Sequence, residues 1–80
     1  MKLSELSVGC SAVVKKIYIN SKIASRLKAL NIFEGGNVTV LRKAPFGGGL
    51  MLKADGVRVA LRFSIASQIE IEMDNTGESL

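Results

Sequence analysis

Residues Ser21–Val40, SKIASRLKALNIFEGGNVTV, decide how this chain folds. Ile23, Ala24, Leu27 and Leu30 fall at i, i+1, i+4 and i+7, one apolar stripe at helical spacing. Ser21 precedes the stripe, and its hydroxyl suits the first free N–H groups of a helix. Asn31 follows it and tolerates the left-handed conformation that closes many helices, with Ile32 folding back onto Leu27. The spacing predicts a short α-helix over about 22–30, with Ile23, Leu27, Leu30 and Ile32 closing one end of a core. Lys22, Arg26 and Lys28 lie off the stripe. Glu34-Gly35-Gly36 then turns the chain, and Val38 and Val40 alternate with Thr39 and Leu41 in a strand over 37–43.

Outward from this stretch the pattern is β. On the N-terminal side, Ser4 and Glu5 suit a single helical turn pinned by Leu3 and Leu6, and Gly9 redirects the chain. Ser11 to Ile19 is rich in β-branched residues. Ala12 and Val14 share one parity, Ile17 and Ile19 the other, so a bulge or a sharp bend near Lys15–Lys16 would bring both pairs to one core. On the C-terminal side, Pro45-Phe46-Gly47-Gly48-Gly49 reads as a hairpin connection. It is no phosphate loop, because a strand follows where that device needs a helix and a Lys–Ser/Thr pair. Asp55-Gly56 between apolar runs predicts a two-residue hairpin joining Leu50–Ala54 to Val57–Arg62. In the latter, Val57, Val59 and Leu61 face inward and Arg58, Ala60 and Arg62 outward. Ser64–Ser67 allows one helical turn. Gln68–Met73 is the last strand, with Ile69 and Ile71 inward and Glu70 and Glu72 outward, opposite in charge to the wet face of the strand before it, which suits weak pairing between the two faces. Five short strands and one helix predict an all-β fold, a small barrel or sandwich, over residues 1–73. Residues 74–80 read as a polar, disordered tail.

Composition narrows the function. Eighty residues make one domain with one small core. The four aromatics are Tyr18, Phe33, Phe46 and Phe63, so that core is aliphatic. Net charge is +4, and two of the seven acids, Asp74 and Glu78, stand in the tail, which leaves the body more basic still. An acidic partner, a membrane surface or nucleic acid fits that balance, as does a plain solvated basic surface. Cys10 is alone, which excludes an internal disulfide and fits a reducing compartment. No apolar run approaches the roughly 20 residues of a membrane span, and MKLSELSVG lacks an apolar signal core, so a cytoplasmic location is expected.

There is no histidine. That removes the usual acid–base group at neutral pH, the ordinary catalytic triad and most metal centres. Asp55 belongs to its turn, and the acids of the last strand lie on an outer face, so no buried carboxylate pair is in view. No catalytic residue, cofactor or metal site is expected, and a direct ferrous-iron binder would have only scattered surface acids to use. The protein reads as a binding module rather than an enzyme.

A family pattern is also present. Leu3 and Leu6 before Gly9, Arg26-Leu27 with Leu30, then Ile32, Gly35 and Val38, and finally Ala60-Leu61-Arg62 with Ala66, Ile69 and Ile71 resemble the FeoA family over about residues 3–73. The same domain resembles the C-terminal domain of metal-dependent repressors of the diphtheria-toxin-repressor type, without their helix-turn-helix region. The resemblance implies a five-stranded SH3-like barrel with one inserted helix. It implies a small cytoplasmic accessory protein of bacterial ferrous iron uptake, whose partner is the FeoB permease with its GTPase domain. Two positions depart from the family pattern: Asn31 stands where Gly is usual and Glu34 where Pro is frequent. The partner surface is placed on Lys22, Arg26 and Lys28 and on the loop tip Pro45-Phe46. The alternative is a free-standing SH3-like module that binds nucleic acid or the ribosome.

Overall fold

The computed structural model describes residues 1–73. The tail expected at 74–80 lies outside the described residues. Five antiparallel strands form one curled sheet in the order β4-β3-β2-β1-β5: β1 is Ser11–Ile17, β2 Asn37–Ala44, β3 Gly49–Ala54, β4 Val57–Leu61 and β5 Ile69–Met73. One nine-residue helix, α1 (Ser21–Ala29), is inserted between β1 and β2. A single turn, α2 (Phe63–Ala66), links β4 to β5. This is the predicted count and order of elements.

The core is aliphatic, as composition requires. Leu3, Leu6, Val14, Ile32, Val38, Val40, Leu52 and Ile69 are its largest fully buried side chains. They come from β1, β2, β3 and β5, from the N-terminal turn Leu3–Glu5 with Leu6 at its cap, and from Ile32 just after the helix, while β4 adds Val59 and Leu61. Among the described residues no charged or polar residue is buried, so packing and the sheet ladder carry the fold.

The bulge in β1 is real. Pairing with β5 shifts register between Val14 and Lys16. The Gly35-Gly36 turn seals the gap: Val14 N–H donates to the Gly36 carbonyl (2.9 Å) and Gly35 N–H to the Val14 carbonyl (2.8 Å). The strand ends at Ile17 rather than Ile19, and both isoleucines reach only half burial. Asp55 (φ +50°) and Gly56 (φ +82°) form the expected tight hairpin, with Ala54 opposite Val57.

Four local expectations need correction. The helix is capped by Asn20, not Ser21: Ile23 N–H donates to Asn20 Oδ1 at 3.0 Å. The helix starts one residue earlier than predicted, which turns Ser21 into its first helical residue. Leu30 is 42% exposed and closes nothing. It occupies the cap position, and the left-handed Asn31 (φ +70°) swings Ile32 into the core in its place. Val57 is also 42% exposed, because it sits at the hairpin tip on an outermost strand. Finally, β4 and β5 stand at opposite ends of the strand order, so their charged faces do not pair. Glu70 instead meets the N-terminal ammonium (2.8 Å) and Lys2 (3.4 Å), and Glu72 meets Lys15 (3.5 Å).

Candidate functional site

The basic helix is shaped by its two ends. Asn20 caps the start. At the other end, Ile32 N–H donates to the Leu27 carbonyl (2.8 Å) and Asn31 N–H to the Lys28 carbonyl (3.0 Å). These two bonds with a left-handed residue between helix and strand make a complete Schellman closure. Leu27 is buried and Ile23 packs partly against the core, which leaves Lys22, Arg26 and Lys28 exposed. None of the three forms an ion pair among the described residues. Arg26 and Lys28 sit in the last turn, where cations meet the negative end of the helix dipole. Beside the helix lies a groove of about 360 Å³ lined by Ile17, Ala24, Lys28, Ile32, Phe33 and Glu34. Glu34 has a structural task there: its Oε2 accepts from Ile17 N–H at 3.3 Å, bracing the turn that leads into β2.

Pro45 and Phe46 belong to a different place. They form a short 3₁₀ turn, Pro45–Gly47, between β2 and β3. Helix and tip flank opposite ends of β2, separated by roughly 20 Å of strand. Phe46 is 105% exposed, so it covers no part of the barrel. Its backbone is left-handed (φ +58°), a conformation that costs a non-glycine residue about 1–2 kcal/mol. An exposed ring on a strained backbone gains nothing from intramolecular packing to offset that cost.

Beside this tip is a second groove, of about 340 Å³, which sequence reasoning missed. Its walls are mostly apolar and Arg42 and Arg62 border it. Strand register explains it. Arg42 stands opposite Met51, and Met51 opposite Ala60, so one outward row crosses β2, β3 and β4. Ala44 and Gly49 are opposite one another in the next row. Small side chains at Ala44, Gly49 and Ala60 leave a hollow between the arginines. Gly49 (φ +133°) cannot carry a Cβ, which would lie 2.9 Å from the Leu61 carbonyl oxygen. The only sequence signal was the cluster of glycines and alanines, which periodicity read as loop and strand.

Charge is divided across the sheet. The three ion pairs among the described residues all lie along the N-terminus, β1 and β5. Across the outer face of β2, β3 and β4, Arg42, Lys53, Arg58 and Arg62 are exposed and form no ion pair among the described residues. Lys53 and Arg58 are direct cross-strand neighbours, a pairing that costs stability. Among the described residues no group of three or more His, Cys, Asp or Glu is gathered to hold a metal ion. Cys10 is a free, half-buried thiol packed against the core. No helix among the described residues is long and apolar enough to cross a membrane.

This geometry has known counterparts. A family model described as the FeoA domain matches residues 1–73. The chain belongs to the FeoA family. That family is associated with ferrous iron transport. The FeoA protein from Chlorobium tepidum is 32% identical with a TM-score of 0.86, covering 91% of this chain and 70% of that one. The zinc-complexed FeoA of Stenotrophomonas maltophilia is 37% identical with a TM-score of 0.71, covering 90% of this chain and 89% of that one. It is described as a prokaryotic SH3 domain protein, which is the fold class expected from the sequence. The manganese regulator SloR shares the fold alone, at 20% identity and a TM-score of 0.78; this chain spans 34% of it. Among curated proteins, none matches.

Proposed function

We propose that this FeoA-family protein is a non-catalytic accessory of bacterial ferrous iron uptake that acts on the cytoplasmic side by binding the FeoB permease and its GTPase domain. The observation that carries this reading is the match of the FeoA domain to residues 1–73, on an SH3-like barrel whose exposed helix and strand cations form no ion pair among the described residues. The S. maltophilia relative is described as a candidate activating factor for bacterial ferrous iron transport, which supports the same role here. The contact uses the basic helix face, Lys22, Arg26 and Lys28, and the Pro45-Phe46 tip. Both are exposed, and Phe46 holds a strained conformation that a partner would make useful.

The test is a pull-down with a purified FeoB cytoplasmic domain. Wild type is expected to be retained, and an Arg26→Glu, Phe46→Ala variant to be retained several-fold less. Equal retention of the variant removes these contact residues; no retention of wild type removes the function. The unpaired basic face of β2, β3 and β4 favours a second reading, a nucleic-acid or ribosome-associated module. A gel shift against mixed RNA and DNA at low salt decides it, since silence there eliminates that reading.

A further inference from the structure

We infer that the groove between Arg42 and Arg62 is the docking site for an acidic, leucine-bearing segment of the protein partner. This rests on the partner reading above but concerns a different surface from the helix. Three observations converge on it. The groove is apolar and of a size that takes one or two aliphatic side chains, at about 340 Å³. Its walls adapt: Met51 is a flexible thioether chain, part-exposed across the hollow. Its borders are charged, and no ion pair among the described residues compensates that charge. Arg42 and Arg62 flank it, and Lys53 and Arg58 continue the same outer face one register row away. The acids of the opposite edge, Glu70 and Glu72, are engaged by Met1, Lys2 and Lys15.

Complementarity follows directly. Guanidinium groups present planar forks that match carboxylates bidentately, so Asp or Glu beside an inserted Leu satisfies both arginines. The exposed Phe46 stands at the turn above the groove and supplies an apolar flank for the same segment. Nucleic acid would use the charges but has no aliphatic group for the hollow. An anionic membrane would engage Phe46 and the arginines together without filling it.

The test is a heteronuclear NMR titration of the labelled 80-residue chain. The probe is a short peptide with a central Leu-Leu pair flanked on both sides by Asp and Glu. Controls are the same peptide with Asn and Gln as flanks, a single-stranded oligonucleotide, and phosphatidylglycerol vesicles. Shift changes are expected to cluster at Arg42, Gly49, Met51, Ala60 and Arg62. Affinity is expected to fall about tenfold or more with the neutral peptide, in an Arg42→Glu, Arg62→Glu variant, and in Ala60→Trp, which fills the hollow. Lys16→Gln, on β1 and outside both proposed surfaces, is expected to bind the peptide as wild type does. Because Ala60→Trp is able to perturb the sheet, the surface charge variant is the control that keeps the native spectrum. Silence toward the peptide, changes outside the groove, or tighter binding to oligonucleotide or vesicle each overturns the proposal. The FeoB-domain pull-down separates the two levels. Wild type that binds with the Arg42→Glu, Arg62→Glu variant equally retained refutes the groove alone. Wild type that does not bind refutes the partner reading itself.

Discussion

At the residue scale, three positions show how local chemistry sets measurable behaviour. Phe46 is held left-handed and fully exposed, so Phe46→Gly removes steric cost and no buried contact. Its stability by chemical denaturation is expected to equal wild type or exceed it by up to about 1 kcal/mol. A clear loss would show that the ring packs on the protein. Gly49 is the opposite case: Gly49→Ala meets both a positive φ and a carbonyl at 2.9 Å, and a cost of about 1–3 kcal/mol is expected in the same measurement. Glu70 carries the pH dependence. Its carboxylate accepts from the N-terminal ammonium at 2.8 Å, the main reason its pKa is lowered; partial burial pushes the other way and Lys2 adds to the lowering. A folded pKa below the unfolded one means the folded state holds fewer protons in between. The contribution is therefore present above the ordinary glutamate range, about pH 4, and is lost as pH falls through the folded pKa. Acetylating the Met1 amine is expected to move the Glu70 midpoint upward in an NMR titration, and an unchanged midpoint would contradict the assigned cause. The side chain is 34% exposed, so the effect is screened and modest.

At the element scale, the helix tests how a nine-residue segment is held. Helices this short are marginal in isolation, so caps and one buried contact matter most. Asn20→Ala is expected to cost about 1 kcal/mol in equilibrium unfolding, and Ser21→Ala less than about 0.5 kcal/mol. The reverse order would restore Ser21 as the cap. The sequence put the helix in place but misjudged its cap, since Asn20 and Ser21 are both good capping residues and only backbone geometry chooses between them. Leu30 was misjudged for a related reason. Periodicity extends the apolar stripe through the cap, while the left-handed Asn31 ends the helical frame and gives the core position to Ile32. The strands were more legible. Alternation placed Val38, Val40, Val59, Leu61, Ile69 and Ile71 inward, and all six are buried. The β1 bulge was readable because a parity conflict within one strand has few physical solutions.

At the scale of the whole molecule, the core is small and undivided, so a central truncation threatens everything. Leu52 lies fully buried on β3, between β2 and β4. Leu52→Ala is expected to cost about 2–5 kcal/mol, a large share of a typical domain's 5–15 kcal/mol. Thermal unfolding by circular dichroism reads it, and a loss under about 1 kcal/mol would show that the barrel collapses around the cavity. The division of charge is also a property of the whole. The N-terminal segment covers the β5 edge, where Ile71 N–H donates to the Met1 carbonyl (2.8 Å), and it brings its cations to the acids there. The basic residues of β2, β3 and β4 face outward and form no ion pair among the described residues.

Sequence alone determined the element order, the Asp55-Gly56 hairpin, the inward faces of the central strands and the family to which the chain belongs. These rest on interactions between near neighbours: periodicity of two or 3.6, turn residues that accept positive φ, and a set of spacings carried along the chain. Only the tertiary structure decided which strands lie side by side and that Glu70 meets the N-terminus rather than the arginines. The same holds for the hollow between Arg42 and Arg62, positions twenty residues apart. Register across three strands is a sum of many weak, long-range contacts, and no local pattern records it.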